Sequence, residues 1–450
     1  MNENKFLREL KTLIYLVREY GICHIDFEID SKNIRDTEKA DIFYYQCHQG
    51  FYAAQDRVIP LLRKIILEQE KLKTDLKNAR RERQKEEASK INLTLRRVKF
   101  QEQVLRKLMD AIAWQLFSYD LSTMRRLYCG ALPVVITNSN LDSELSFIKQ
   151  YKENHPCGFS LISDLTSFIQ IGDVVTVDKD NGICISELKE GAVNDQIFEI
   201  IKDVSKTQCP EKLQQELKGK DDRFLQQFKR VTKQINKTYQ VSETIATGYG
   251  TDLFTGQTVR IVQGDVQPNT FFDTLRSLSL SCHKKGYAIS VVEDCLLIGV
   301  YDITKFPSQV FDAWNDLLKI KFPIYDMRAS FFDPLSFPIF LHGFSDTFIL
   351  ELISGKKVIK MSIDIEKWLS TFEKDGCTIR WLSKKETSKI NSKMKGGNRI
   401  FDINGQGIEI EKDGITQIIG HGIFSRLFTS FLTPSSAKQH LLTMFVPPSQ

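Results

Sequence analysis

The chain has 450 residues, a formal net charge of +5 and an apolar fraction of 42%. This length exceeds what a single hydrophobic core usually serves, so we expect two or three domains. The apolar fraction is that of an ordinary globular protein. No stretch approaches the roughly 18 consecutive apolar residues of a transmembrane helix, so the sequence predicts no membrane partner.

Cysteine and histidine usage excludes two further classes of protein. The nine cysteines are scattered singly without a Cys-x-x-Cys pair, and their odd number argues against a disulfide framework. The seven histidines are equally dispersed, so a zinc site is not expected. Arg18 and Glu19 interrupt the N-terminal apolar run, which argues against a secretory signal. We therefore expect a reducing, cytoplasmic environment.

Residues 1–125 are predicted to form a helical region with a basic coiled-coil arm. Asn4 to Tyr20 has the pattern of an amphipathic helix. The longest helical pattern, Arg57 to Lys107, carries 16 Lys and Arg against 7 Asp and Glu. Its middle, Lys77 to Lys90, is nearly devoid of apolar residues. The pattern predicts either two antiparallel coiled-coil arms with a charged tip or one long helix with a solvated middle.

The sequence is compatible with three functions for this arm. Most basic helices of this kind present a solvated face. Arg80, Arg81 and Arg83 could instead bind a nucleic-acid backbone. The arm could also contact a second copy of the chain or a partner defence protein. The interspersed acids favour protein contacts slightly, because Glu82 and its neighbours would repel a phosphate backbone.

Residues 126–240 begin with a predicted helix and strand. Asn138-Ser139-Asn140 offers N-cap side chains for a helix with Leu141, Leu145 and Ile148 on one stripe. Glu144 lies at the border of that stripe and should face the domain rather than solvent. Pro156 stops the helix, and Phe159 to Leu165 is typical of an edge or first strand.

A hairpin at residues 171–189 carries the strongest functional signal. Valine and isoleucine fill two runs on either side of the turn Lys179-Asp180-Asn181-Gly182. In a register centred near residue 180, Asp173 lies opposite Glu187, and side chains so placed are roughly 5 Å apart at Cβ. Two carboxylates this close repel each other unless a proton or a cation lies between them. The arrangement predicts a divalent metal site, with Lys189 two residues beyond Glu187.

These residues resemble the signature of the PD-(D/E)XK nuclease superfamily, an acid on one strand and Glu-x-Lys on the next. Acid-x-Lys occurs elsewhere in the chain, but only the copy at Glu187 ends an apolar strand whose partner begins with Gly-Asp. Gly172 stands where the family has proline before the first acid. The resemblance covers residues 138–237 and implies that Asp173 and Glu187 hold Mg²⁺ or Mn²⁺ and that Lys189 assists catalysis. It also implies a catalytic carboxylate on the preceding helix, which Glu144 matches.

Two helices should complete this core. The first presents Val193, Ile197 and Ile200, and the second has an apolar stripe beginning at Phe224. Gln227, Arg230 and Gln234 recur on another face of the second helix, where Gln227 and Arg230 could contact the DNA backbone or the scissile phosphate. The Ser/Thr/Gly-rich stretch Val241 to Gly256 is a plausible linker.

Residues 250–450 are predicted to form an α+β domain for recognition, oligomerisation or sensing. Tyr287 to Val292 and Cys295 to Tyr301 should form a hairpin across Glu293-Asp294. Phe311 to Leu318 is predicted to be helical, and Val358 to Ile363 and Cys377 to Leu382 to be strands. Ser383 to Arg399 is predicted to be a basic loop. A solvated loop is favoured over a phosphate-binding one.

The sequence thus predicts an α/β, restriction-endonuclease-like core between an N-terminal helical, coiled-coil region and a C-terminal α+β domain. The function that the resemblance implies is metal-dependent hydrolysis of phosphodiester bonds in DNA, by an endonuclease of prokaryotic antiviral or plasmid defence. The alternative is a non-catalytic nucleic-acid-binding or assembly protein with a degenerate nuclease fold. Gly-x-x-x-x-Gly-Lys-Ser/Thr is absent, so no P-loop is expected.

Overall fold

The computed structural model describes residues 2–24, 36–131, 133, 136, 141–179, 182–188, 191–207, 209–261, 269–394 and 400–445. It is a mixed α/β protein with a long helical region towards its N-terminus and sheets further along the chain. The chain forms two compact units. Unit 1 comprises Met1–Arg18, Arg96–Ala111 and Gln263–Gln450, and unit 2 comprises Glu19–Leu95 and Ile112–Val262.

The helices are, in chain order, α1 (Glu3–Arg18), α2 (Tyr20–His24), α3 (Asp36–Arg81), α4 (Lys85–Leu116), α5 (Leu121–Leu127), α6 (Leu141–Asn154), α7 (Ala192–Thr207), α8 (Pro210–Leu217), α9 (Asp222–Thr247), α10 (Phe272–Lys285), α11 (Gln309–Leu317), α12 (Asp346–Ile353), α13 (Ile365–Glu373), α14 (Lys384–Lys393), α15 (His421–Thr429) and α16 (Pro434–Leu442).

The strands are β1 (Phe159–Ile162), β2 (Val174–Asp178), β3 (Gly182–Ser186), β4 (Tyr249–Thr251), β5 (Thr258–Arg260), β6 (Tyr287–Val292), β7 (Leu296–Asp302), β8 (Tyr325–Asp326), β9 (Lys357–Ile363), β10 (Thr378–Trp381), β11 (Asp402–Ile403), β12 (Gln406–Lys412) and β13 (Ile415–Ile418).

The basic segment forms two helices, so the predicted single long helix is wrong, while the antiparallel coiled coil stays a prediction. A three-residue turn joins α3 to α4, with Arg83 at φ +58° and a hydrogen bond from the Gln84 N–H to the Ala79 carbonyl. The buried positions in this part of α3 are Val58, Ile59, Leu62, Ile65, Ile66, Gln69, Leu76 and Ala79. Arg80, Arg81 and Arg83 are exposed at the turn.

In unit 2, a three-stranded antiparallel sheet of order β1-β2-β3 follows α6. Helix α3 covers the outer edge of β1, because Gln55 and Tyr52 hydrogen-bond backbone groups that no strand pairs there. The Gln55 side chain donates to the Ser160 carbonyl and accepts from the Ile162 N–H, while the Tyr52 hydroxyl accepts from the Ser160 N–H. An edge strand satisfied in this way cannot readily pair with another chain.

The order of helix, strand, hairpin and two further helices in this unit is the predicted one, with the short α8 added. Helices α7 and α9 pack together through Ile197, Ile200, Phe224 and Val231. Val193, predicted on the same stripe, is 48% exposed. The predicted linker is wrong, because α9 continues to Thr247 and β4 follows. Its Val241 and Thr244 are buried, and this packing outweighs the turn-like composition.

In unit 1, an antiparallel sheet of order β6-β7-β9-β8 has β7 buried along its whole length. The predicted hairpin, helix and strands of this half are present within a residue or two, as β6–β7, α11, β9 and β10. The predicted basic loop is wrong for residues 384–393, which form α14. Ser383 and Glu386 make a reciprocal capping box that begins this helix. Residues 395–399 of that predicted loop lie outside the described chain.

A buried histidine in unit 1 makes the folding stability depend on pH. His342 is 3% exposed, and neither of its ring nitrogens has a hydrogen-bond partner within the described residues. Burial lowers its pKa from the ordinary 6.5 to about 3, and the nearby positive charge of Arg18 adds to the effect. The ring is surrounded by aromatic side chains, namely Phe272, Phe337, Phe344 and Phe431.

We expect His342→Leu to flatten the dependence of unfolding on pH. The folded-state pKa lies below the unfolded one, so the unfolded chain binds more protons between pH 6.5 and about 3. The stability due to neutral His342 is therefore present above pH 6.5 and is lost as pH falls towards 3. Urea midpoints measured across this range should decline less steeply for His342→Leu. Equal slopes for the two proteins would contradict the assignment.

Candidate active site

The hairpin β2–β3 has the register that the sequence predicts. Val174 pairs with Ser186, and the pairing continues to Asp178 with Gly182. One more step in the same register would pair Asp173 with Glu187. The Asp173 N–H, however, donates to the Ser186 carbonyl at 2.8 Å. The regular ladder therefore ends at the Val174–Ser186 pair. The backbone departs from the regular register at the next position, where Asp173 and Glu187 lie.

Gly172 makes this shift possible. Its φ is +77°, in the left-handed region that residues with a Cβ avoid. A Cβ at this position would also lie 2.4 Å from Cγ2 of Ile185. Proline is excluded outright, because its ring fixes φ near −65°. The absence of proline at this position thus has a physical reason in this hairpin.

Asp173 is held by hydrogen bonds on both sides of β2. Its carbonyl accepts from the Ser163 N–H at 3.0 Å, on the β1 side, while its N–H bonds to Ser186 of β3. Its carboxylate Oδ2 accepts from the Leu188 N–H at 2.6 Å. The side chain is half-buried. These bonds orient the carboxylate towards the chain segment that carries Glu187.

Glu187 is oriented by α9. Its carboxylate Oε2 accepts from Nε2 of Gln234 at 3.4 Å, a long hydrogen bond. Gln227, predicted as a catalytic residue that contacts the DNA backbone or the scissile phosphate, donates to Oδ1 of Asn194 at 2.8 Å and so joins α9 to α7. The two glutamines lie seven residues apart on one helix face, so the periodicity of the sequence could not distinguish them.

The remaining predicted residues lie in three environments. Glu144 is 1% exposed in the first turn of α6, so it faces the interior as expected. Arg230 is exposed on α9. Lys189 and the N-cap residues Asn138 to Asn140 lie outside the described residues.

The opposite end of β2 has a structural role. Asp178 accepts a hydrogen bond from the Tyr151 hydroxyl at 2.6 Å and lies 3.9 Å from Nδ1 of His155. Burial raises the pKa of Tyr151, and the hydrogen bond to Asp178 raises it further. Tyr151 belongs to α6, so this contact fastens the hairpin to the helix that carries Glu144.

The donor set at the first end of the hairpin fits a hard divalent cation. Mg²⁺ binds oxygen ligands, commonly one or two carboxylates together with waters and substrate phosphates. Asp173 and Glu187 supply two carboxylates from adjacent strand ends. The described residues contain no group of three or more His, Cys, Asp and Glu side chains placed to hold a metal. A site here would consequently be completed by water and phosphate oxygens.

Comparison of the chain with protein-family models, curated proteins and solved structures finds no match. The interpretation of the site therefore depends on its own residues and geometry. Within the part of the chain that the structure describes, no helix is long and apolar enough to cross a membrane.

We expect Gly172→Ala to destabilise the protein more than Gly182→Ala. Both positions have left-handed backbone, φ +77° and +64°, which costs a residue with a Cβ about 1–2 kcal/mol. Only the new Cβ at 172 meets Ile185; at 182 nothing lies within 4 Å. Overpacking should add about 1–3 kcal/mol at 172, measured by urea denaturation. Equal losses in the two variants would show that the close approach does not constrain the hairpin.

Proposed function

We propose that the chain is a metal-dependent nuclease that hydrolyses phosphodiester bonds in DNA. The observation that supports this most is the placement of Asp173 and Glu187 at adjacent strand ends, each held by a hydrogen bond from a neighbouring residue. The sequence resemblance to PD-(D/E)XK nucleases adds the expected role of Lys189. Defence against phage or plasmid DNA is the biological setting that this resemblance suggests.

Each residue of the proposed site has a separate role in hydrolysis. Asp173 and Glu187 would hold Mg²⁺ or Mn²⁺, which when bound polarises a phosphodiester oxygen and lowers the pKa of a coordinated water. The Leu188 N–H and the Gln234 amide keep the two carboxylates oriented, which limits the reorganisation needed when substrate binds. Lys189 would position the attacking water or stabilise the charge that develops on the phosphoryl group.

A binding protein without catalysis is the competing proposal. It requires the hairpin only as a folding element, so substitutions that remove charge from the acids should leave DNA binding unaffected. The two proposals differ in whether the protein cleaves DNA. Only the nuclease requires the negative charge of Glu187, so the cleavage rate of a variant without that charge distinguishes them.

We expect the protein to nick or linearise supercoiled plasmid in Mg²⁺ and to be inactive in EDTA. Glu187→Gln and Asp173→Asn should each slow cleavage by at least about a hundredfold, the scale of losing one group that stabilises the transition state. Both changes are nearly isosteric and leave an oxygen to accept the hydrogen bonds from Gln234 and Leu188. Gel electrophoresis of timed digests measures the rates.

Glu199→Gln is the matched control, because the Glu199 side chain is 72% exposed on α7 and, within the described part of the chain, pairs with the exposed Lys202. It should cleave at the unsubstituted rate. Thermal unfolding of all variants checks that each is folded. Cleavage by Glu187→Gln at the unsubstituted rate, or no cleavage by the unsubstituted protein in either Mg²⁺ or Mn²⁺, would reject the nuclease proposal.

A further inference from the structure

The exposed surface of α9 carries a band of positive charge. We call Lys229, Arg230, Lys233 and Lys237 the basic band. The three lysines follow at intervals of four residues, and Arg230 lies three residues before Lys233, so all four share one side of the helix. Lys237 is half-buried and the other three are exposed.

This band is not compensated by acids on its own helix. Between Asp222 and Glu243, α9 contains no Asp or Glu. Among the described residues, none of the four basic side chains makes an ion pair. The α3–α4 turn differs, because Glu82 lies among its arginines and Glu86 and Glu87 follow them closely. Like charges concentrated on one face repel one another, and a polyanion relieves this repulsion.

The band borders a groove of about 500 Å³ between α9 and Leu253. Lys229, Lys233 and Lys237 line it together with polar side chains that can donate hydrogen bonds, and Phe228 and Leu253 supply its apolar wall. The polar side chains are Thr232, Asn236 and Gln240. Hydroxyl and amide groups beside lysines are the usual contacts of a phosphate backbone.

The basic band lies on the same helix as Gln234, which contacts Glu187 of the candidate active site. Arg230 lies four residues before Gln234, whose amide contacts Glu187, so the two are neighbours on the helix surface. Successive lysines are displaced by about 6 Å along the helix axis. Arg230 thus forms the border of the band that is nearest to the residue that orients Glu187.

We propose that the basic band and its groove bind the backbone of duplex DNA and direct it to the acids at the end of the β2–β3 hairpin. The inference rests on the proposed nuclease function and adds the surface that holds the substrate. It assigns this role to Lys229, Lys233 and Lys237 beside Arg230, and not to Arg80, Arg81 and Arg83 at the α3–α4 turn. The contacts are to phosphates, so they favour DNA without regard to its sequence.

The test measures the salt dependence of DNA binding by fluorescence anisotropy of a labelled duplex, in the Asp173→Asn background so that the duplex stays intact. One variant combines Lys229→Gln, Lys233→Gln and Lys237→Gln. Its control combines Arg80→Gln, Arg81→Gln and Arg83→Gln, which removes the same charge from the α3–α4 turn. A second variant changes the three lysines to arginine and keeps the charge.

The α9 glutamine variant should reduce the slope of log K against log salt by about 2.7, at roughly 0.9 for each of three lost phosphate contacts. The turn control and the arginine variant should keep the original slope. An unchanged slope in the α9 variant, or an equal reduction in the turn control, overturns the inference. Weakened binding of an RNA hairpin with duplex DNA binding unchanged also overturns it.

Plasmid cleavage by the unsubstituted protein, measured separately, distinguishes the two proposals. Cleavage together with DNA binding that does not depend on the band contradicts the inference about α9 alone. Band-dependent DNA binding without cleavage in Mg²⁺ or Mn²⁺ contradicts the nuclease and leaves the binding surface standing.

Discussion

The candidate site depends on the backbone conformation of Gly172. With a left-handed residue at this point, the regular pairing of β2 with β3 extends only to the Val174–Ser186 pair and leaves Asp173 outside it. Asp173 can then bond to Ser186 through its N–H and to Leu188 through its carboxylate. With a side chain at 172, Ile185 would be displaced and this arrangement lost. The position of the Asp173 carboxylate therefore depends on the close approach of the Gly172 backbone to the Ile185 side chain.

Helix α9 serves the unit in three ways at once. Its apolar stripe packs against α7 through Phe224 and Val231, and its Gln234 contacts Glu187. Its exposed side carries the basic band. A 26-residue helix spans about 39 Å at 1.5 Å per residue, so one rigid element carries both the basic band and the side chain that contacts Glu187. Sites carried by helices hold their geometry more closely than sites on loops.

Local patterns in the sequence predicted much of this half of the chain. The Asp-Asn-Gly turn and alternating valines specified the hairpin register, because a slip of one residue would reverse every side chain. The burial of Glu144 followed from its place beside the apolar stripe of α6. The sequence shows at Gly172 only the absence of a proline, because no periodicity encodes a left-handed conformation.

Where the predictions were wrong, tertiary packing or an unused local signal explains the difference. The choice of Gln234 over Gln227 depends on how α9 docks against the hairpin, which a single helix pattern does not determine. The end of α9 was placed too early because burial of Val241 and Thr244 outweighs a Ser/Thr/Gly-rich composition. The start of α14 was predictable, since Ser383-x-x-Glu386 is a capping-box pattern.

The central claim is that Asp173 and Glu187 act together to hold a divalent cation. Calorimetric titration of Mn²⁺ into the protein with a short DNA duplex, corrected for the duplex alone, tests it without relying on activity. The account predicts a binding event that disappears in both Asp173→Asn and Glu187→Gln and persists in Glu199→Gln. Equal Mn²⁺ binding by all four proteins, or none by the unsubstituted protein, would contradict it.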